Sequence, residues 1–392
     1  MKRNLLRSRD AQSEERVGFV ELFFDLVFVF AVTQVSHAII LHPDPLGFAQ
    51  AGMLFLAIWW VWVDTAWVTN WLDVRHMPVR ILLFVLMGAT LVMTISLPDA
   101  FGERALPFAL AYVGIQLGRH LFMLAALAGQ NRANFVNFVR ITLWTLVEAP
   151  FWIAGALSED AATRMTLWGA GLVIVNLGPM ARFWVPGLGG SDVATWDVEG
   201  HHFSERCGLF IIIALGESVL VTGAAFGETA WGAPTIAAFA SAFAGTIAMW
   251  WLYFDIGAER AARQLAKDKD PGRMARLAYT YFHIPIVAGI ILTAASDEMA
   301  LVHPGGHADI AAAAALLGGP ALYLFGNMIF KRTSGRHLPL SHLIGLALLA
   351  LILPFALGLT PLLLSLAATA VLVLVAGWEM ASLRETRAAL KD

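Results

Sequence analysis

Charge is what this sequence lacks most. Only 14% of its 392 residues are charged while 58% are hydrophobic, and the mean hydropathy is +0.69. Soluble domains carry roughly 25% charged residues, so this composition excludes an ordinary soluble core and fits a polytopic membrane protein. The net charge of −3 comes without a long basic or acidic run, which leaves no basis for a nucleic-acid partner. Cysteine is nearly absent, and the single Cys207 excludes an internal disulfide framework. Nucleotide-binding G-x-x-x-x-G-K-S/T, nucleophile-elbow G-x-S-x-G and zinc-binding H-E-x-x-H are all missing. The chain is therefore expected not to be an enzyme, and no cofactor is expected. Lys2, Arg3, Arg7 and Arg9 lead into a polar segment rather than an apolar core with a small-residue cleavage site, so no signal peptide is expected.

Long apolar runs are what the sequence has instead. A hydrocarbon core of about 30 Å takes about 20 apolar residues per helix. Polar and Pro/Gly interruptions cut the chain into about twelve spans, roughly 17–41, 47–70, 77–97, 105–128, 136–157, 163–184, 203–226, 232–257, 275–295, 309–330, 338–358 and 361–382. The expected fold is all-α, a polytopic helical membrane protein. Twelve spans with an inside N-terminus sort the basic residues sharply: only Arg104 and Arg164 fall on the outer side, and Arg119 alone lies in a span away from its ends. Lys and Arg gather on the cytoplasmic side, which predicts both termini inside.

The two halves, 1–198 and 199–392, read as copies. Glu21 aligns with Glu205, and Trp59-Trp60-Val61-Trp62-Val63-Asp64 aligns with Trp250-Trp251-Leu252-Tyr253-Phe254-Asp255. Six helices per copy is an even number, so the repeats are expected to be parallel, related by an axis along the membrane normal.

Acids inside apolar helices are costly and are the natural candidates for function. In ELFFDLVFVFAVTQVSH, Glu21, Asp25 and Ser36 lie on one stripe of the first helix, with His37 beside it. The plain alternative is that Glu21 and Asp25 serve the positive N-terminal end of the helix. In the seventh span, Arg206 and Glu217 share a face, and Gly216 shares the face of Glu205. Glu217 is expected about 20 Å from the cytoplasmic end, and Gly216 is expected to allow close helix packing or room for a small solute.

Arg119, next to His120, needs a partner at its depth. Glu148, Glu217 and Asp25 are the candidates. Asp64 and Asp255 follow Trp pairs in both copies and read as structural braces of a Trp ring or a neighbouring loop. His201, His202 and Glu205 have helical spacing that a metal would accept, but no second His/Cys cluster lies near them and no metal is expected. His283 reads as a core histidine, with a proton path as the alternative.

ELFFDLVFVFAVTQ and HHFSERCGLFIIIALGES resemble the two signature stretches of the bacterial low temperature requirement A (LtrA) family. The positions that carry the likeness are Glu21, Phe24 and Asp25 in the first, and His202, Glu205, Arg206, Gly208, Gly216 and Glu217 in the second. The resemblance implies a polytopic protein of the bacterial inner membrane and brings no substrate with it. In outline, the paired six-helix repeats with Phe23-Phe24-Asp25 are also similar to endolysosomal potassium channels, although Leu209 stands where their second Asp aligns. The expected function is a secondary transporter or proton-coupled permease for an ion or small solute. Asp25, Glu21, Glu217, Arg119, Glu148, Ser36 and His37 would form its ion or proton path. The alternatives are a cation channel lined by helices 1 and 7, or a non-transporting membrane module that binds a lipid, cofactor or partner. The lipid bilayer and an ion or small solute are the partners expected.

Overall fold

The computed structural model describes residues 4–7, 17–191, 198–255, 257–258, 260–261, 271–334 and 338–384. Long helices account for nearly all of them: α1 (Phe19–Leu41), α2 (Pro45–Trp71), α3 (Met77–Ser96), α4 (Ala105–Leu127), α5 (Arg132–Leu157), α6 (Ala161–Met180), α7 (Gly200–Glu228) and α8 (Ala233–Phe254). After them come α9 (His283–Val302), α10 (Ile310–Ser334), α11 (Leu340–Ile352), which continues as a 3-10 turn over Leu353–Gly358, and α12 (Pro361–Ser382). A π-helical turn over Ala275–Tyr281 leads into α9. Among the described residues, ten helices are long and apolar enough to cross a membrane. The other two long helices, α5 and α6, are thinned by Asn137, Arg140, Glu148 and Pro150, and by Arg164 and Asn176.

Helix boundaries follow local chemistry. The Asn131 side chain accepts from Asn134 N (3.1 Å) at the start of α5, and Asp160 accepts from Thr163 N (2.7 Å) at the start of α6. Thr360 accepts from Leu363 N (3.1 Å) before α12, where Pro361 takes a position that needs no amide donor. Arg164, on the first turn of α6, folds back on the end of α5. Its guanidinium donates to Gly155 O (3.2 Å) and Ser158 O (2.6 Å), carbonyls at the helix end.

The chain groups into two compact units. The first gathers described residues of Met1–Gln34, Gly52–Arg206 and Ala266–Arg276, and the second those of Val35–Ala51, Cys207–Leu265 and Leu277–Asp392. These boundaries differ from the 1–198 and 199–392 halves read from the repeat. In the first unit α3 packs on α4, α4 on α5 and α5 on α6, around a ladder of Phe108, Tyr112, Trp152 and Trp168. In the second, α9 and α10 pack backbone to backbone. A Cβ on Gly289 would lie 2.4 Å from Tyr323 N, and one on Gly319 would lie 2.7 Å from Thr293 N. Small residues at such crossings let membrane helices gain dispersion contacts where no hydrophobic force drives them together.

Candidate functional site

Two polar networks lie within the first unit. The first joins the two sequence stretches that carry the acids. Glu21 and Asp25, on the first turns of α1, are 0% and 1% exposed, and Arg206 near the start of α7 is fully buried. Arg206 Nη1 donates to Glu21 Oε1 (3.1 Å) and Thr69 Oγ1 (3.2 Å), and Nη2 donates to Asp25 Oδ1 (2.7 Å). Trp62 covers the guanidinium, 5.9 Å from ring centroid to Cζ, and its indole N–H donates to Asp25 Oδ1 (2.9 Å).

His202, one turn before Arg206, completes the contact. Its Nδ1 lies 3.4 Å from Asn70 Nδ2 and its Nε2 lies 3.0 Å from Glu21 Oε1. The same Nε2 also lies 3.0 Å from Arg7 Nη2, so the His202 tautomer decides whether Nε2 donates to Glu21 or accepts from Arg7. The chain before α1 adds a second cation. Residues 5–7 run alongside the end of α2 through Arg7 N to Trp71 O (2.9 Å) and Asp73 N to Leu5 O (2.9 Å). Arg7 Nη2 then reaches Glu21 Oε2 (3.3 Å), which also accepts from Gly18 N (2.8 Å). Glu21 thus serves the N-terminus of its helix and binds two guanidinium groups at once. With two carboxylates against two arginines, this network is a charge-compensated brace. Glu205 stands at its edge, half-buried, accepting from Val17 N (3.0 Å). His201 is exposed while His202 is buried against Glu21, so the His201/His202/Glu205 spacing does not converge on one point. No metal-holding group of His, Cys, Asp and Glu exists among the described residues.

The second network lies among α2, α4 and α5. Arg119 pairs with Asp64, Nη2 to Oδ2 at 3.1 Å, and not with the candidates expected from depth, Glu148, Glu217 or Asp25. It also donates to Thr65 Oγ1 (3.0 Å), Val61 O (3.2 Å) and Gln116 Oε1. Asp64, read from its sequence pattern as a brace of a Trp ring or a loop, lies against the Arg119 guanidinium. Glu148, 2% exposed, is held by neutral donors: Tyr112 Oη–H (2.7 Å) and Trp152 Nε1–H (2.8 Å), both to Oε1. Among the described residues it forms no ion pair.

Between these groups the first unit encloses a small polar cavity. Asp64, Gln116, His120, Thr145 and Glu148 line it together with Trp60, Trp144 and the end of α6, and about 30 Å³ is open to the centres of water-sized molecules. A site needs about 10–15 Å³ on this measure to hold one water, so there is room for one or two. Asp64 is the most open of its acids, its side chain 24% exposed. Thr145 Oγ1 donates to Ile141 O (3.2 Å) and lies 3.2 Å from His120 Nδ1. His120 can therefore donate to it.

The remaining expected residues lie in the second unit. Glu217 is buried beside Ser218, whose hydroxyl meets Thr246 Oγ1 at 2.9 Å. A Cβ on Gly216 would touch nothing within 4 Å, so this glycine does not serve close helix packing; Gly208 does face a neighbour, Phe254, at 3.5 Å from such a Cβ. Ser36 is buried with no hydrogen-bond partner for its hydroxyl, and His37 is exposed in the electrostatic reach of Glu298. Asp255 ends α8, its amide bonded to Trp251 O (3.1 Å). His283 is a satisfied core histidine: Nδ1–H donates to Ala278 O (2.8 Å), and Nε2 accepts from Tyr253 (2.7 Å). Sequence reading passed over Asp297 on α9 and the Lys331–Glu379 pair, 2.5 Å apart. All three sit near helix ends, where polar residues are ordinary.

Comparison with known proteins points the same way as the two signature stretches. No solved structure matches the chain. The uncharacterized protein RA0937 of Rhizobium meliloti (strain 1021) is 42% identical over 388 residues, covering 97% of this chain and 92% of that protein. The family described as bacterial low temperature requirement A protein (LtrA) matches residues 16–377. That match takes in both networks except Arg7, from Glu21 and Asp25 to Arg206 and from Asp64 to Glu148. The chain is an all-helical membrane protein that belongs to the LtrA family.

Proposed function

We propose that this protein is a secondary transporter, a proton-coupled permease for an ion or small solute, with Glu148 as the group that takes up and releases the coupling proton or cation. One observation carries this reading. Among the described residues, Glu148 is a carboxyl group without a salt-bridge partner, bordering a small cavity that Asp64, Gln116, His120 and Thr145 also line. Intramembrane acids of this kind mark proton relays and ion paths. The Arg119–Asp64 pair on the same cavity is the natural gate, since Asp64 can exchange its guanidinium partner for an entering cation. Asp25 and Glu21, expected on the path, are better suited to bracing, because Arg206 and Arg7 already compensate them. The same compensation disfavours a cation channel lined by α1 and α7, whose acids would have to face a pore. The distribution of Lys and Arg supports a bacterial inner-membrane location with both termini cytoplasmic.

The test is ion flux into liposomes carrying the purified protein, for H⁺, K⁺ and Na⁺ under an imposed pH gradient and an imposed potential. Flux that saturates at carrier turnover and depends on pH supports the permease. High unitary conductance would establish the channel instead. Silence with every ion, at an incorporation verified by density, would leave a lipid-, cofactor- or partner-binding module and refute the transport reading for these ions.

A further inference from the structure

Among the described residues, Glu148 is held by the neutral donors Tyr112 and Trp152, and the buried Glu21, Asp25 and Glu379 each face an arginine or lysine at salt-bridge distance. Asp297 faces none among the described residues. It is 5% exposed on α9, about 8 Å before the helix end at 1.5 Å per residue, and its Oδ2 is buried with no hydrogen-bond partner. Charged groups in such a setting are paired or bind an ion.

Asp297 stands at the end of a short chain of hydroxyls. The Ser365 hydroxyl of α12 interacts with its carboxylate. Ser365 Oγ lies 3.0 Å from Ser241 Oγ of α8, and Thr369 Oγ1 donates to Ser241 O (3.2 Å). Ser241 and Ser365 are each 3% exposed, and α8, α9 and α12 pack against one another. One turn nearer the helix ends, Ala238, Leu301 and Leu362 join Ala225, Phe226 and Phe239 in an apolar cluster. Each of the three site helices therefore contributes an oxygen-bearing residue and, a turn away, an apolar one that separates it from the water at the helix ends.

We propose that Asp297, Ser365 and Ser241 form a binding site for one monovalent alkali cation. The donors are all oxygen, which suits hard cations and not soft metals. A single carboxylate balances a single positive charge, whereas a divalent ion would leave a net charge in an apolar surround. Both hydroxyls keep lone pairs after their mutual hydrogen bond, and the open Oδ2 supplies the anionic ligand. The site is made of residues other than those of the Glu148 cavity and stands whether or not that cavity carries flux.

The test is thermal unfolding of the purified full chain in detergent, followed by tryptophan fluorescence, in NaCl, KCl and LiCl against choline chloride at equal ionic strength. The wild type is expected to gain about 3–5 °C with a saturable dependence on at least one alkali cation, as a ligand that binds only the native state requires. Asp297→Asn should abolish the gain, and Ser365→Ala should raise the half-saturating concentration about tenfold. The proposal is overturned if the wild type unfolds alike in alkali and choline salts, or if Asp297→Asn keeps the full response. Should Asp297→Asn fail to fold, Ser365→Ala decides: an unchanged half-saturating concentration overturns the site.

Discussion

Removing Arg206 is the sharpest perturbation of the helix brace. In Arg206→Leu, Glu21 and Asp25 lose hydrogen bonds of 3.1 and 2.7 Å, Thr69 loses its donor at 3.2 Å, and Trp62 loses its cation. Of two carboxylates that are 0% and 1% exposed, Glu21 then keeps Arg7 and His202, while Asp25 keeps only the Trp62 indole N–H among the contacts described above. Leaving a buried charge unpaired costs about 3–5 kcal/mol. Much of that cost is the stranded charge and not the lost contacts. Adding Asp25→Asn to Arg206→Leu, which leaves Glu21 paired with Arg7, should therefore recover at least about half of the loss, since replacing both members of a buried ion pair is often close to neutral. Reversible unfolding in mixed micelles, followed by tryptophan fluorescence, measures both variants. The reasoning is refuted if Arg206→Leu costs under about 1 kcal/mol, the scale of an exposed pair, or if the double variant is no more stable than the single.

Other expectations reach different parts of the protein. Gly289→Val places a side chain where even a Cβ would be 2.4 Å from Tyr323 N, so α9 and α10 must separate; a loss of about 1–3 kcal/mol or more is expected in the same unfolding assay. In the loop between α2 and α3, burial acts to raise the Asp73 carboxyl, but the Arg75 side chain and backbone N–H outweigh it and hold the group below the usual carboxylate range. A depressed carboxyl stabilises the fold above the unfolded value of about 3.9 and loses that contribution as pH falls below it. Asp73→Asn should accordingly flatten the stability profile on the acid side of about pH 4, and an identical acid limb in both proteins would contradict this.

The helices were legible in the sequence because membrane hydropathy and capping residues act locally. Asn131, Asp160 and Thr360 cap where they stand, and the apolar runs between interruptions became α1 to α12 with shifts of a few residues, apart from the ninth, read at 275–295 and found as α9 at His283–Val302 behind a π-helical turn. Glu21, Asp25, His202 and Arg206 were also legible, as two signature stretches far apart in the chain. Their pairing was not. Periodicity gave Arg206 a face shared with Glu217, but the interaction with Glu21 and Asp25 depends on how α1 and α7 lie side by side, which no spacing within one helix encodes. Depth estimates failed Arg119 for the same reason: several acids share its level, and only the packing of α2 on α4 selects Asp64. Asp297 escaped because Ser296-Asp297-Glu298 near a helix end reads as an ordinary polar terminus. Its burial comes from α8 and α12, more than 40 residues away in sequence on either side.

The central claim rests on Glu148, and one side-by-side measurement tests it most directly. Proton flux driven by a pH gradient is recorded in liposomes holding wild-type protein and Glu148→Gln at matched incorporation. Glutamine keeps the size of the side chain and can still accept from Tyr112 and Trp152, while it cannot carry a proton or pair with a cation. A loss of flux of tenfold or more, on the scale of removing a required proton carrier, with unfolding behaviour unchanged, is the predicted result. Wild-type flux that Glu148→Gln reproduces in full would contradict the account and return the cavity to a structural role.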